Sequence, residues 1–201
     1  YLTTVSPTHA QEILSPTYGF NLDAPLRDRF KEGRLRGILN GIDVDAWNPA
    51  ADKHIPAGFT AEDMAGKTIC KEALQKTFKL PHRPHSPIFG VVSRLAYQKG
   101  LDVFASAIDD MLVYDDVQFV VLASGDTGLQ NWLLALAARH PAKFAVHVGY
   151  SDKLAHLIEA GSDFFVMPSR YEPCGLNQMY SMRYGTLPVV RSTGGLEDTV
   201  V

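Results

Sequence analysis

The residues best suited to chemistry lie in one turn, Pro168–Asn177, which joins an apolar strand to a helix. Glu172 stands in the middle of this turn, beside backbone amides that open the helix. The helix macrodipole favours a surface carboxylate at such a position, and this is the simpler explanation of Glu172. It does not explain the Pro-Cys-Gly-Leu run at 173–176, which restricts the backbone and aims amides inward. We therefore predict that Glu172 acts on a group of a bound ligand.

Cys174 in the same turn has two interpretations. A thiol at a helix start has a lowered pKa and can act as a nucleophile. No histidine stands near Cys174 in the sequence, so no base is at hand locally. We therefore expect Cys174 to pack or to offer its backbone rather than to attack a substrate.

A second strand-to-helix turn follows about twenty residues on, at Thr193-Gly194-Gly195. Its backbone can form a small nest of amides that attracts an anion. Two such turns at one edge of a sheet predict a site for a phosphorylated ligand.

Arg94 and Lys99 stand five residues apart, between an earlier strand and the helix that follows it. The planar fork of Arg and the point charge of Lys together suit a diphosphate. Exposed cations without a partner are common, and that explanation would be preferred for an isolated pair. Their place at the ligand edge of the sheet favours the diphosphate.

Two further residues end strands at the same edge. Asp126 follows Ser124-Gly125, and we expect it to cap the next helix. Tyr150 follows Gly149, and its ring either stacks on a base or packs against the protein.

From residue 88 onward, short apolar runs alternate with helical segments. The runs predict strands at 88–92, 117–122, 144–148, 164–167 and 187–190. The helices are expected at 99–113, 128–139, 151–159 and 176–183, and another opens at 196. Continuous apolar strands joined by helices predict an α/β fold, a doubly wound, Rossmann-like parallel sheet. Ligands of such sheets bind at the carboxyl ends of the strands.

The earlier part of the chain is less regular. Ser6-Pro7 reads as a helix cap followed by the first helical residue. An apolar run at 37–39 predicts a short strand, residues 42–66 an ordered loop, and 67–78 an amphipathic helix. The predicted division is a tail at 1–36, a hinge with its lead-in helix at 37–87, and the Rossmann-like domain at 88–201. Because the chain starts at Tyr1 and stops within a helical turn, we expect a fragment of a longer protein.

Composition excludes several classes of protein. The chain of 201 residues has 46% hydrophobic and 20% charged residues, a composition that fits a folded domain. Its formal net charge is −3 and its basic residues form no cluster, which argues against a nucleic-acid partner. No apolar run is long enough for a membrane span, and no signal-peptide pattern opens the chain. Cys70 and Cys174 are isolated and the histidines form no HxxxH or HExxH pair, so we expect a reducing compartment and no metal site.

Taken together, these residues resemble the starch and glycogen synthases, which are retaining two-domain glycosyltransferases that use a nucleoside-diphosphate glucose. The resemblance rests on these segments: Thr4–Pro7, Gly37–Asp43, Trp47–Pro49, Val92–Leu95, Gln98–Asp102, Pro168–Leu176, Tyr184–Val190 and Thr193–Leu196. It implies the C-terminal, donor-binding domain of the two-domain GT-B fold, truncated at its C-terminus. The N-terminal domain of the same protein is then the missing partner.

The resemblance also implies a reaction. Glucose would pass from ADP-glucose to the non-reducing end of an α-1,4-glucan, glycogen or starch, with retention of configuration. No metal and no other cofactor would be required. The compartment would be the bacterial cytoplasm or, for a plant protein, the plastid stroma.

Five residues carry implied roles at the nucleotide. Arg94 and Lys99 would hold the donor diphosphate and stabilise it as it leaves, in place of a metal. Thr193 and Gly194 would help to bind phosphate. Tyr150 would pack against the adenine.

Five more residues carry implied roles at the sugar. Glu172 would lie at the donor glucose, with the backbone amides of Cys174, Gly175 and Leu176 near the glucose hydroxyls. Asn40 would reach the sugar from the hinge.

Two positions depart from the wider pattern. Tyr180 stands where many retaining relatives have a second Glu that contacts the ribose, and Ala123 stands where a Gly is usual. Two alternatives remain open: a non-catalytic nucleotide-binding module, and a same-fold transferase with another donor or acceptor, such as UDP-glucose, sucrose or trehalose-phosphate synthesis.

Overall fold

The N-terminal elements of the computed structural model, which describes residues 1–201, form a small unit of their own. They are β1 (Leu2–Val5), α1 (Pro7–Glu12), α2 (Pro16–Gly19), α3 (Asp23–Lys31) and β2 (Leu35–Ile38). β1 and β2 pair in parallel as a separate two-stranded sheet. Ser6 caps α1 as predicted, because its Oγ accepts a hydrogen bond from the backbone N of His9 at 3.0 Å. The strand expected at 37–39 begins two residues earlier, so the predicted boundary after residue 36 falls inside β2.

The segment between β2 and the next helix has no regular element, as expected of the predicted loop. The next helix is α4 (Ala65–Thr77), and its residue Lys67 anchors it to the later part of the chain. The ammonium of Lys67 donates to the carbonyl oxygens of Ala160 and Tyr184 and to the Thr186 hydroxyl, at 3.0, 2.9 and 2.7 Å. Burial lowers the pKa of Lys67 to about 8.

The remaining elements alternate as the sequence predicts. They are β3 (Ile88–Leu95), α5 (Leu101–Tyr114), β4 (Gln118–Gly125), α6 (Thr127–Arg139), β5 (Phe144–Val148), α7 (Asp152–Gly161), β6 (Phe164–Met167), α8 (Asn177–Arg183), β7 (Leu187–Val190) and α9 (Gly194–Thr199). The five strands form one parallel sheet in the order β5-β4-β3-β6-β7. The prediction of a doubly wound parallel sheet is confirmed.

Two apolar clusters hold the sheet between its helices. On one face, Leu101, Phe104 and Ile108 of α5 and Leu133 and Leu136 of α6 pack on alternate residues of β3 and β4. On the other face, α4, α7 and α9 cover the residues between. This alternation explains why the strands read as continuous apolar runs.

The helix predicted at 99–113 starts later than expected. A 3₁₀ turn at Tyr97–Lys99 precedes it, and Gly100 at φ +63° separates the two. A Cβ at Gly100 would clash with the carbonyl oxygen of Pro168, so glycine lets the start of α5 lie directly against the end of β6. None of the helices combines the length and the hydrophobicity that a bilayer-spanning helix needs.

Candidate functional site

The chain order reverses between β3 and β6, and a crevice opens where these two strands end. Ligands of open parallel sheets bind at such a reversal point. Two adjoining clefts, of about 290 and 270 Å³, occupy the crevice here. Four residues line both of them: Val92, Ser93, Lys99 and Asn177.

Glu172 and Lys99 meet in the first cleft. The ammonium of Lys99 lies 2.5 Å from Oε2 of Glu172, although 73 residues separate them in sequence. The Ser169 hydroxyl donates to the same oxygen at 3.0 Å. The Glu172 side chain is only 8% exposed, so a charge-assisted contact holds this carboxylate in a partly desolvated site. Oε1 has no hydrogen-bond donor within the protein and is available to a ligand.

Arg170 fixes the turn that carries Glu172. Its guanidinium makes two hydrogen bonds to the Asp102 carboxylate, at 2.7 and 2.6 Å, and lies over the Tyr97 ring at 4.0 Å. Hydrogen bonds from Arg170 lower the pKa of the Asp102 carboxyl group to about 2. The backbone N of Arg170 also donates to the Gln98 carbonyl oxygen at 2.8 Å. The 97–102 part of the connection between β3 and α5 is thus tied to the Glu172 turn.

The glycines of the second turn allow it to touch the first. Gly194 has φ +48°, and a Cβ there would clash with the carbonyl oxygen of Glu172. Gly195 donates its backbone N to that same oxygen at 3.0 Å. Close backbone contact between the two turns is therefore a structural reason for this Gly-Gly pair.

Thr193 and Gly194 are already bound to a carboxylate. The Thr193 hydroxyl and the Gly194 backbone N both donate to Oε1 of Glu12, at 2.7 and 2.9 Å. Neither residue lines the two clefts. The anion nest predicted from sequence exists, but Glu12 of α1 fills it, so phosphate contact by these two residues requires Glu12 to move.

Cys174 is buried and tied to the hinge. Its thiol sulfur accepts a hydrogen bond from the backbone N of Asn40 at 3.5 Å, and its carbonyl oxygen accepts one from Gln178 at 2.9 Å. Neither Cys174 nor Asn40 lines the clefts, whereas Gly175 and Leu176 line the first one. The structure thus brings only part of the predicted sugar-binding set to the crevice.

Arg94 and Tyr150 line the second cleft. The Arg94 side chain is exposed, and its one side-chain partner is Oε1 of Gln98 at 3.5 Å. The Tyr150 ring is 86% exposed, so packing against the protein does not explain it. Both side chains are free to meet a ligand. Asp126 caps α6 as predicted, since its carboxylate accepts from the backbone N of Leu129 at 2.8 Å.

The sequence analysis assigned no role to several polar residues of the clefts, among them Asn177, Ser93 and Ser124. Asn177 begins α8 and donates its side-chain amide to the Val92 carbonyl oxygen at 3.0 Å, which joins β3 to the Glu172 turn. Ser93 and Ser124 stand at the ends of neighbouring strands. Asn177 is the last residue of the turn that carries Glu172, and this position in the sequence could have indicated that Asn177 belongs to the site.

Tyr180, at the position of the departure noted above, faces the hinge. Its ring stacks on Trp47 at a centroid distance of 3.8 Å and an interplanar angle of 7°. The residue therefore packs the hinge against α8 and does not line the clefts.

The fold and the crevice define an open, doubly wound α/β domain with a polar crevice at the carboxyl ends of its strands. The sequence model described as "Glycosyl transferases group 1" matches residues 73–201. The chain therefore belongs to the glycosyl transferase group 1 family.

Named relatives agree with the resemblance seen in the sequence. The chain is 57% identical over 199 residues to a glycogen synthase of Anaeromyxobacter dehalogenans and 53% identical over 201 residues to one of Thioalkalivibrio sulfidiphilus. These matches cover 99% and 100% of this chain and 41% of each relative. The chain thus spans about two fifths of the length of these relatives.

Solved structures show the same architecture. The catalytic domain of starch synthase IV from Arabidopsis thaliana, bound to ADP and acarbose, matches 99% of this chain and 41% of its own with a TM-score of 0.90 and 41% identity. Sucrose-phosphate synthase from Thermosynechococcus elongatus matches 99% of this chain and 42% of its own with a TM-score of 0.61 and 21% identity. The second likeness shows the fold alone.

Proposed function

We propose that this chain is the donor-binding part of a glycogen or starch synthase. The protein would transfer glucose from ADP-glucose to the non-reducing end of an α-1,4-glucan with retention of configuration. The observation that carries this proposal is the Lys99–Glu172 pair in the crevice between β3 and β6. It places a cation and a carboxylate with a free oxygen where a sugar diphosphate would lie. The glycogen synthases and the starch synthase named above support the substrate class.

The residues that line the two clefts suggest which part of the donor each cleft would hold. The second, with Arg94 and the exposed Tyr150 ring, would take the diphosphate and the adenine. The first, with Glu172, Gly175 and Leu176, would take the glucose. Lys99 lines both and would contact the donor at their junction.

In the reaction, the bond between C1 of glucose and the β-phosphate oxygen breaks, and ADP leaves with the electron pair. The glucan hydroxyl forms the new bond to C1 on the same face and gives its proton to the oxygen of the departing diphosphate. Arg94 and Lys99 would stabilise the charge that develops on the leaving diphosphate, without a metal. Glu172 would hold the glucose and stabilise the positive charge that develops at C1.

The facing half of the site would come from an N-terminal domain of the same protein. The first-named relatives are more than twice as long as this chain, which leaves room for such a domain. They are bacterial proteins, which favours the bacterial cytoplasm over the plastid stroma.

A hybrid enzyme tests the proposal. This chain would replace the matching 199 residues of the Anaeromyxobacter dehalogenans synthase to give a hybrid synthase, with the parent enzyme as control. We expect the hybrid synthase to move labelled glucose from ADP-glucose onto glycogen, and the 201-residue chain alone to move none. Transfer by the isolated chain would contradict the two-domain site. A folded hybrid synthase that transfers only from UDP-glucose would contradict the donor.

A further inference from the structure

We propose that His54, Asp152 and His156 form a binding site for a zinc ion that joins the hinge loop to α7. One nitrogen or oxygen atom from each of the three lies within 4.8 Å of the other two. These residues have no part in the proposed transfer reaction. They line a separate open cleft of about 320 Å³ between the loop and α7.

His156 is held in the orientation that a zinc ligand needs. Its Nδ1 lies 2.7 Å from Oδ2 of Asp52, a carboxylate whose side chain is only 1% exposed. The Tyr184 hydroxyl donates to the same oxygen at 2.6 Å. Since this carboxylate can only accept, Nδ1 of His156 carries the proton and Nε2 keeps its lone pair. A carboxylate behind a histidine is the usual second partner of metal-bound imidazole.

Stacking holds the same ring in place. The Trp47 indole lies flat on the His156 imidazole, with a centroid distance of 3.8 Å and an interplanar angle of 8°. The His156 side chain is 5% exposed. A buried, oriented imidazole whose free nitrogen faces a cleft is prepared for a ligand before the ligand arrives.

The other two ligands lie at the mouth of this cleft. Asp152 precedes His156 by one helical turn on α7, and its Oδ1 is 3.9 Å from Nε2 of His156. Nε2 of His54 is 3.6 Å from Oδ2 of Asp152. In tetrahedral zinc sites with bonds of about 2.0–2.1 Å, neighbouring ligand atoms stand about 3.3 Å apart. The two measured distances end on different oxygens of Asp152, and the three ligand atoms lie within 4.8 Å of one another. Binding one zinc ion therefore requires these atoms to draw closer by up to about 1.5 Å, through rotation of the Asp152 and His54 side chains.

Ligand chemistry selects the metal. Two neutral imidazoles and one carboxylate suit zinc, whereas calcium and magnesium prefer oxygen ligands alone. Water would occupy the fourth position. Local spacing did not reveal this site, because His54 lies about a hundred residues from α7 and only the fold brings them together.

Calorimetric titration of the 201-residue chain with zinc chloride tests the site. We expect one zinc per chain, and His54→Ala and Asp152→Asn should each weaken binding by at least about tenfold. His82→Ala is the matched control, because His82 forms a similar exposed pair with Glu72, at 3.7 Å, but belongs to no group of three possible metal ligands. This variant should bind zinc as the parent chain does.

Thermal unfolding gives an independent readout. Zinc should raise the midpoint of the parent chain and of His82→Ala but not that of His54→Ala, since an ion that binds only the folded state stabilises it. Circular dichroism would confirm that each variant is folded. The proposal is wrong if the folded parent chain binds no zinc, or if His54→Ala and Asp152→Asn both bind zinc as tightly as the parent chain does.

Discussion

Replacing Glu172 with Gln is expected to lower the transfer rate of the hybrid synthase by about a thousandfold, while its fold persists. The substitution keeps the size of the side chain and removes its negative charge. In the structure that charge faces Lys99 on one oxygen and leaves the other open to the cleft. If Glu172 stabilises the positive charge that develops at C1, the loss should appear in kcat rather than in the KM for ADP-glucose.

The same substitution at a carboxylate far from the clefts is the control for the loss of one negative charge. Glu72→Gln removes a half-exposed carboxylate on α4, outside both clefts, and should leave the rate unchanged. Near-normal turnover by a folded Glu172→Gln enzyme would contradict the role given to this residue. Circular dichroism and a thermal midpoint close to that of the parent would show that the loss is chemical.

Removing both cations of the clefts should have the next largest effect. Arg94→Ala combined with Lys99→Met is expected to lower kcat/KM for ADP-glucose by at least about a hundredfold, since each cation would make charge-assisted contacts to the diphosphate. Arg94 has only one weak side-chain contact, so its loss should cost little stability. Steady-state kinetics at varied ADP-glucose would measure the change.

Lys99 needs its own control because it also pairs with Glu172. Lys99→Arg keeps a cation at that position and should retain more activity than Lys99→Met. Lys76→Ala removes an exposed cation on α4 and should leave kcat/KM unchanged. If Arg94→Ala with Lys99→Met kept the parent's kcat/KM, these cations would not bind the diphosphate.

The sheet was predictable because its signal is local. Apolar runs such as Ile88–Val92 are continuous where helices cover both faces, and the gaps between them have the length of a helix. The predicted ends of the helices were less accurate where tertiary packing determines the end. Gly100 delays the start of α5, because Lys99 first completes a 3₁₀ turn against the end of β6.

The candidate site was predictable only as separate motifs. Each motif showed that a carboxylate, a cation or an amide stood at the end of a strand. The direct pairing of Lys99 with Glu172 joins residues far apart in sequence, and it could not be read from either motif. Glu12 fills the Thr193-Gly194 nest and so joins residues near opposite ends of the chain. This contact could not be predicted from the sequence of either segment.

Calorimetry of the 201-residue chain with ADP and with UDP tests the central claim most directly, because it asks whether the crevice between β3 and β6 selects this nucleotide. We expect weak binding of ADP at a single site, with Kd on the order of 1 mM, because the facing half of the proposed site would lie in an N-terminal domain. We expect clearly weaker binding of UDP. Equal affinity for the two nucleotides, or no binding of ADP by the folded chain, would contradict an ADP-glucose site in this crevice.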